Sequence, residues 1–184
     1  MPDPCRSRRF LPFVAAALLC ATPAAGCIGD EGAGADNAVE AQERNEVRLG
    51  GVAYRVSMFR QLNPRIEPDD AYYDGPMPDK GAGVYAAFVR ACNPEPPVES
   101  PSTRIFLEDA FGEQFHPVEQ PDNKFAYDPR PLKPGECLPS ESAASQAEGA
   151  VLAFVVPFAD TAERPMILVI RGSGHAERRI ELDL

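Results

Sequence analysis

Few side chains in this sequence could do chemistry, and their spacing decides what kind. His116 and His175 are the only imidazoles. His116 follows Phe115 in a stretch that reads as a strand, and His175 sits in a Gly-Ser-Gly turn. A zinc or copper centre needs several nitrogen or sulfur ligands, and neither histidine has them close by in sequence. Asp69, Asp70 and Asp74 gather around Tyr72 and Tyr73 in a long loop. Hard cations such as Ca²⁺ want several oxygens, but the spacing is not that of an EF-hand, and acidic loops are usually just solvated. Ser142, His116 and Asp109 carry the side chains of a hydrolytic triad, yet no nucleophile-elbow turn surrounds Ser142. No catalytic residue, no metal and no cofactor is expected. Asp70, Tyr72, Tyr73 and Asp74 remain as a candidate partner surface, because exposed aromatic side chains anchor interfaces. The competing reading, and the commoner fate of such tyrosines, is packing over the edge of the domain.

The other reactive residues are cysteines, at positions 5, 20, 27, 92 and 137. The first three belong to a leader or border it. Arg6, Arg8 and Arg9 precede an uncharged apolar run from Phe10 to Ala21, and the small residues Ala24, Ala25 and Gly26 follow. This is the layout of a secretory signal. About a dozen apolar residues are too few for a spanning helix, which needs roughly 20. Ala24-Ala25-Gly26-Cys27 resembles the lipobox of bacterial lipoproteins, with Ala24 where Leu is usual. Cys20, inside the apolar run, is a poor rival. The resemblance implies cleavage before Cys27, a diacylglycerol on its sulfur and a fatty acid such as palmitate on its new amino group. Three acyl chains exceed the two signals that stable attachment takes. An ordinary signal with a chance cysteine after the cut is the alternative. Residues 1–26 are therefore expected to be a lipoprotein signal peptide. The protein is expected in the cell envelope, lipid-anchored on the extracytoplasmic face of a bacterial membrane.

The charge agrees with an anchor made of lipid. The chain carries −10 at neutral pH, and loss of the leader, with its three Arg and one Asp, makes it more negative. Such a chain is repelled by phosphate and by anionic headgroups. No nucleic-acid partner is expected, and membrane attachment is expected to come through the lipid on Cys27 and not from a basic patch. In an oxidising compartment the two cysteines left in the exported part, Cys92 and Cys137, most simply pair. A catalytic thiol and a metal pair are the rivals. Closing that loop would stabilise the fold by about 4 kcal/mol on the chain-entropy picture.

The remaining elements must position these groups. Residues 27–46 are rich in Gly, Ala, Asp, Glu and Asn and bury too little to order themselves. They read as a flexible acidic tether, with at most a fraying helix over Ala38–Arg44. The domain is expected over 47–184. Val47, Leu49, Val52, Tyr54, Val56 and Met58 run through Gly50-Gly51, as two strand segments broken by a bulge or turn. Gln61–Gly83 reads as a long loop, functional or lid-like. Val84–Cys92 is apolar on both faces except at Arg90, hence central, and Pro94, Pro96 and Pro97 stop it. Thr103–Leu107 and Glu113–Val118 form a hairpin about Glu108–Gly112, where the Asp109 side chain stabilises the turn. Gly149–Val156 and Pro165–Arg171 are further apolar strands. Glu177–Leu184 alternates Ile180, Leu182 and Leu184 with charge, as an edge strand does. No helical period is sustained. The pattern predicts an all-β domain, an antiparallel immunoglobulin-like β-sandwich of seven or eight short strands.

Several stretches, in order, resemble the DUF4352 family of immunoglobulin-like domains found in bacterial lipoproteins and secreted proteins. They are Val52–Val56, Tyr85–Asn93, Leu107–Gly112 with Phe115 and Pro117, Asn123–Tyr127, Leu132–Gly135, Phe154–Pro157 and Arg164-Pro165. Cys92 and Cys137 are not part of the family pattern. The resemblance implies an extracytoplasmic β-sandwich and no particular activity. The expectation is a lipid-anchored module for recognition or scaffolding at the bacterial cell envelope, not an enzyme. Its partner would be an envelope or extracellular protein, with Gln61–Gly83 as the first candidate surface. A hydrolase or metal-handling lipoprotein on the same fold is the alternative.

Overall fold

The computed structural model describes residues 40–140, 148–162 and 164–184. The leader, Cys27, the tether as far as residue 39 and Ser142 lie outside the described residues. The strands are β1 (Ala41–Gln42), β2 (Glu46–Leu49), β3 (Val52–Leu62), β4 (Ala82–Cys92), β5 (Arg104–Glu108), β6 (Gln114–Phe115), β7 (Cys137–Leu138), β8 (Ala150–Pro157), β9 (Met166–Arg171) and β10 (Glu177–Leu182). One sheet has the order β1-β10-β9-β5-β6, and the other has β2-β3-β4, with β7 and β8 sharing the far edge of β4. This is the expected two-layer all-β sandwich. It is antiparallel except where β1 runs parallel to β10. A short helix, α1 (Phe158–Ala162), and a 3-10 turn at Asp69–Tyr72 are the helical pieces among the described residues.

Alternation builds the core. Val52, Tyr54 and Val56 of β3 face Ile105 and Leu107 of β5, Met166, Leu168 and Ile170 of β9, and Ile180 and Leu182 of β10 in one cluster. The alternation in β3 then breaks. Its pairing with β4 shifts between Val56 and Met58, and such a bulge switches the face of every residue that follows. Phe59 therefore enters the core, whereas Met58, expected in line with Val56, packs on the outer face. Gly50 and Gly51 have φ of 58° and 81°. Two positive φ values in a row are what a two-residue mirror-image hairpin turn requires.

β4 is central, and both of its faces are used. Tyr85, Ala87, Val89 and Ala91 face the other sheet, and Val84, Ala86 and Phe88 join a second cluster outside. The chain after β6 closes that outer side. Only Gln114–Phe115 of the expected return strand Glu113–Val118 pairs with β5. The chain then crosses to β8, where Val118 N–H donates to Ala153 O at 2.7 Å and Val151 N–H to Phe125 O at 2.7 Å.

Two boundaries differ from expectation. Ala41–Gln42, within the stretch 27–46 expected as tether and within the conjectured helix, is strand paired with β10. The next residues carry the chain between the sheets. The Glu43 carboxylate accepts from Phe59 N–H of β3 at 3.2 Å and from Asp183 N–H beyond β10 at 3.3 Å, and burial raises its pKa. The loop expected over Gln61–Gly83 is shorter, because Gln61 and Leu62 end β3 and Ala82 and Gly83 begin β4.

Cys92 and Cys137 form a disulfide, with Cα atoms 4.0 Å apart. They are direct partners in the β4–β7 register, flanked by the bond from Asn93 N–H to Glu136 O at 2.9 Å. Opposed residues that are not bonded to each other approach most closely in an antiparallel pair, to about 4.5 Å. That explains a separation just under the usual disulfide range of about 4.4–6.8 Å.

Four tyrosines tie loops to the sheets and report on the fold. Tyr54 Oη accepts from Ser102 N–H at 2.7 Å, and Tyr127 donates to Ser102 O at 3.1 Å. Burial, as the largest cause, pushes the pKa of Tyr54, Tyr73 and Tyr127 upward. Tyr72 is pushed up to about 12, first by its hydrogen bond to Glu148 and then by burial. A folded-state pKa above the unfolded value means stability that is complete below about pH 10 and is lost as pH rises through the folded pKa. The expected result of an alkaline titration is tyrosinate absorbance that lags behind that of the unfolded chain, with unfolding setting in above pH 10. Ionisation of all tyrosines at their ordinary pKa in a still-folded protein would contradict these contacts.

Candidate recognition surface

The tyrosines expected to meet a partner face inward instead. Tyr73 is buried, and its hydroxyl donates to Pro76 O at 2.6 Å. The Tyr72 ring packs edge-on against Phe88 at 5.2 Å and Phe125 at 5.1 Å, and its hydroxyl donates to Glu148 at 2.6 Å. Arg60 lies 5.4 Å from the Phe88 ring and pairs with Asp69 at 2.7 Å. The loop thus closes the apolar outer face of β4. Of the four candidates, only Asp70 and Asp74 are exposed. The correction has a plain cause: the outer face of β4 needs a cover, and the two aromatic side chains supply it.

The exposed apolar side chains lie elsewhere. Register places the ends of β3, β5, β8 and β10 and the starts of β4 and β9 at one end of the sandwich: Leu62 pairs with Val84, Ala82 with Pro157, Met166 with Leu182, and Ile167 with Glu108. The connections there form a crown of the 63–81 loop, the Asp109–Glu113 turn, α1 with the residues after it, and Asp183-Leu184. Ile66, Met77, Phe111, Phe158 and Leu184, all on the crown, are large apolar residues left exposed, and Phe111 is 80% exposed. Among the described residues only Val98 matches them at the opposite end.

Local chemistry explains how the crown holds its tips out. Asp109 is buried, and its Oδ1 accepts from Phe111 N–H at 2.9 Å and Glu113 N–H at 2.8 Å, as expected for its turn. Gly112 follows at φ 85°. With the backbone fixed from beneath, the Phe111 side chain points away. Phe158 leaves β8 and rests on bare backbone, since a β-carbon on Gly83 would lie 2.7 Å from its ring. Beside it is a cleft of about 630 Å³ lined by Leu62, Ile66, Met77, Pro78 and Val84, among others. Exposed acids on these crown segments are Glu67, Asp70, Asp79, Glu113 and Asp183, whereas Asp74 N–H donates to Gln120 on the outer face of the sheet. Arg65, Lys80 and Arg164 are the exposed cations on the same loops.

The chain folds as a β-sandwich. No family model matches it, and no curated protein does, so the DUF4352 resemblance rests on the residues themselves. Solved structures with a similar course include the YjhA protein of Bacillus subtilis, at TM-score 0.48 and 14% identity over 78% of this chain and 99% of that one. A second is YcdA of Bacillus subtilis subsp. subtilis str. 168, described as a "putative lipoprotein", at TM-score 0.49 and 13% identity over 77% of this chain and 39% of that one. A third is an uncharacterized β-sandwich protein of Clostridium difficile 630, at TM-score 0.45 and 12% identity over 80% of this chain and 98% of that one. At such scores the likeness adds nothing to what the two sheets show directly.

The other reactive residues stay apart. His116 packs beside Phe106, with ring centroids 5.9 Å apart, on the outer face of the β5–β9 sheet, and His175 is in the turn before β10. Among the described residues no group of three or more His, Cys, Asp or Glu side chains could hold a metal ion. Sequence reasoning missed Ile66, Met77 and Phe158 as surface residues. Each is a single apolar residue in a polar or Pro-bearing connection, and no local spacing reveals that the 63–81 loop and α1 come to the same end of the sandwich.

Proposed function

We propose that this chain is a lipid-anchored, extracytoplasmic β-sandwich module of the DUF4352 kind, serving recognition or scaffolding at a bacterial cell envelope without catalysis. The observation that carries the reading is the string from Arg6 to Cys27: basic residues, an uncharged apolar run, small residues and a cysteine. The net charge of −10 supports it, since an acidic chain has no electrostatic hold on a membrane. The sandwich supports it too: a stiff two-sheet body with apolar tips on loops is suited to contact rather than turnover.

Cys27→Ser tests the anchor. In a bacterial host, the wild-type chain is expected in the detergent-rich phase of a phase separation and the variant in the aqueous phase. Mass spectrometry of the wild-type N-terminal peptide should show an acylated Cys27. A variant that stays in the detergent phase would sink the reading.

A further inference from the structure

We propose that the crown is a docking site for a basic amphipathic polypeptide segment, one that carries apolar anchors between lysines or arginines. The inference deepens the recognition reading and rests on it. The first ground is asymmetry. Among the described residues, five of the six exposed large apolar side chains share one end of the sandwich, brought there by three separate connections and the residues after β10. Soluble surfaces scatter such residues singly, and a gathering of them marks an interaction site. Two of the tips have fixed bases: Asp109 holds the backbone at Phe111, and the Phe158 ring rests on Gly83. A backbone already ordered lowers that part of the cost of binding.

The second ground is charge. Exposed acids outnumber exposed cations on the crown segments, five against three on the residues named above. An apolar centre inside an anionic rim complements a partner with apolar anchors and positive flanks. The same charge argues against two other occupants. Anionic headgroups would repel the rim, and a second copy would set the same acids against each other.

The test uses the full-length protein in phosphatidylcholine vesicles, with protein-free vesicles as the blank. The probe is a short fluorescent peptide of lysine and leucine, with a glutamate and leucine peptide of the same pattern as control. Saturable binding of the lysine peptide is expected, weakening steeply as salt screens the rim. Phe111→Ser, and separately Ile66→Ser with Met77→Ser, should each lower affinity at least tenfold with an unchanged circular dichroism spectrum. These side chains are exposed, so folding is not at risk. No binding, equal binding of the glutamate peptide, or undiminished binding by both variants would each overturn the proposal. So would adhesion to anionic vesicles or dimerisation that depends on Phe111. Failure here leaves detergent-phase partition untouched, so loss of the partner proposal and loss of the anchor reading are separable.

Discussion

Replacing Cys92 and Cys137 together by alanine should lower the stability of the domain by about 4 kcal/mol. The two residues are 45 apart in sequence, and the covalent link removes the freedom of the unfolded chain between them. β7 is two residues long and, among the described residues, pairs only with β4; its other ties are the buried Leu138 side chain and the bonds between Asn93 and residues 135 and 136. A domain of ordinary stability has about 5–15 kcal/mol in total, so much of it depends on this bond. Denaturant unfolding of the oxidised wild type and the double variant is the measurement. An unchanged midpoint would show that the bond constrains nothing the fold does not already hold. Reduction of the wild type should reproduce the loss.

Asn93→Ala is the next largest expected effect, a loss of about 3 kcal/mol. Asn93 has no exposed surface. Its Nδ2 donates to Pro97 O at 2.8 Å and to Leu132 O at 2.9 Å, and its Oδ1 accepts from Glu95 N–H at 3.2 Å. One side chain thus joins the end of β4 to the Pro-rich connection after it and to the strand-like Leu132, whose backbone pairs with Glu99. Alanine removes a fully buried side chain and its three hydrogen bonds, each worth about 1 kcal/mol net, although Leu132 O keeps the Glu99 N–H at 3.1 Å. Asn93→Asp should be nearly as costly, because a carboxylate can accept but not donate. The Asn93 and disulfide effects should add to less than their sum, since neighbours that hold one corner are coupled. Full additivity would mean that the corner is not one unit.

Much of the fold was legible because strands announce themselves locally. Val84–Cys92, Gly149–Val156 and Pro165–Arg171 are continuous apolar runs stopped by Pro or Gly, and each is a strand. The Gly50-Gly51 turn and the role of Asp109 were legible for the same reason: a turn is decided by four or five adjacent residues. The candidate surface was not. Tyr72 and Tyr73 look the same in sequence whether they face solvent or Phe88. Only the outer face of β4, left apolar by Val84, Ala86 and Phe88, decides that they turn inward.

By itself the sequence determined the alternation of the long strands, the acidic balance, the pairing of two cysteines and the leader string on which the anchor reading rests. All of these depend on residue type and on neighbours within a few positions. Only the tertiary structure decided that Phe59 rather than Met58 enters the core, that Ala41–Gln42 belongs to the sheet with β10, and that Ile66, Met77, Phe111 and Phe158 share one end. Each of those turns on a bulge, a crossing between sheets or a meeting of loops. Such contacts join residues tens of positions apart, and their free energy appears only when both partners are in place.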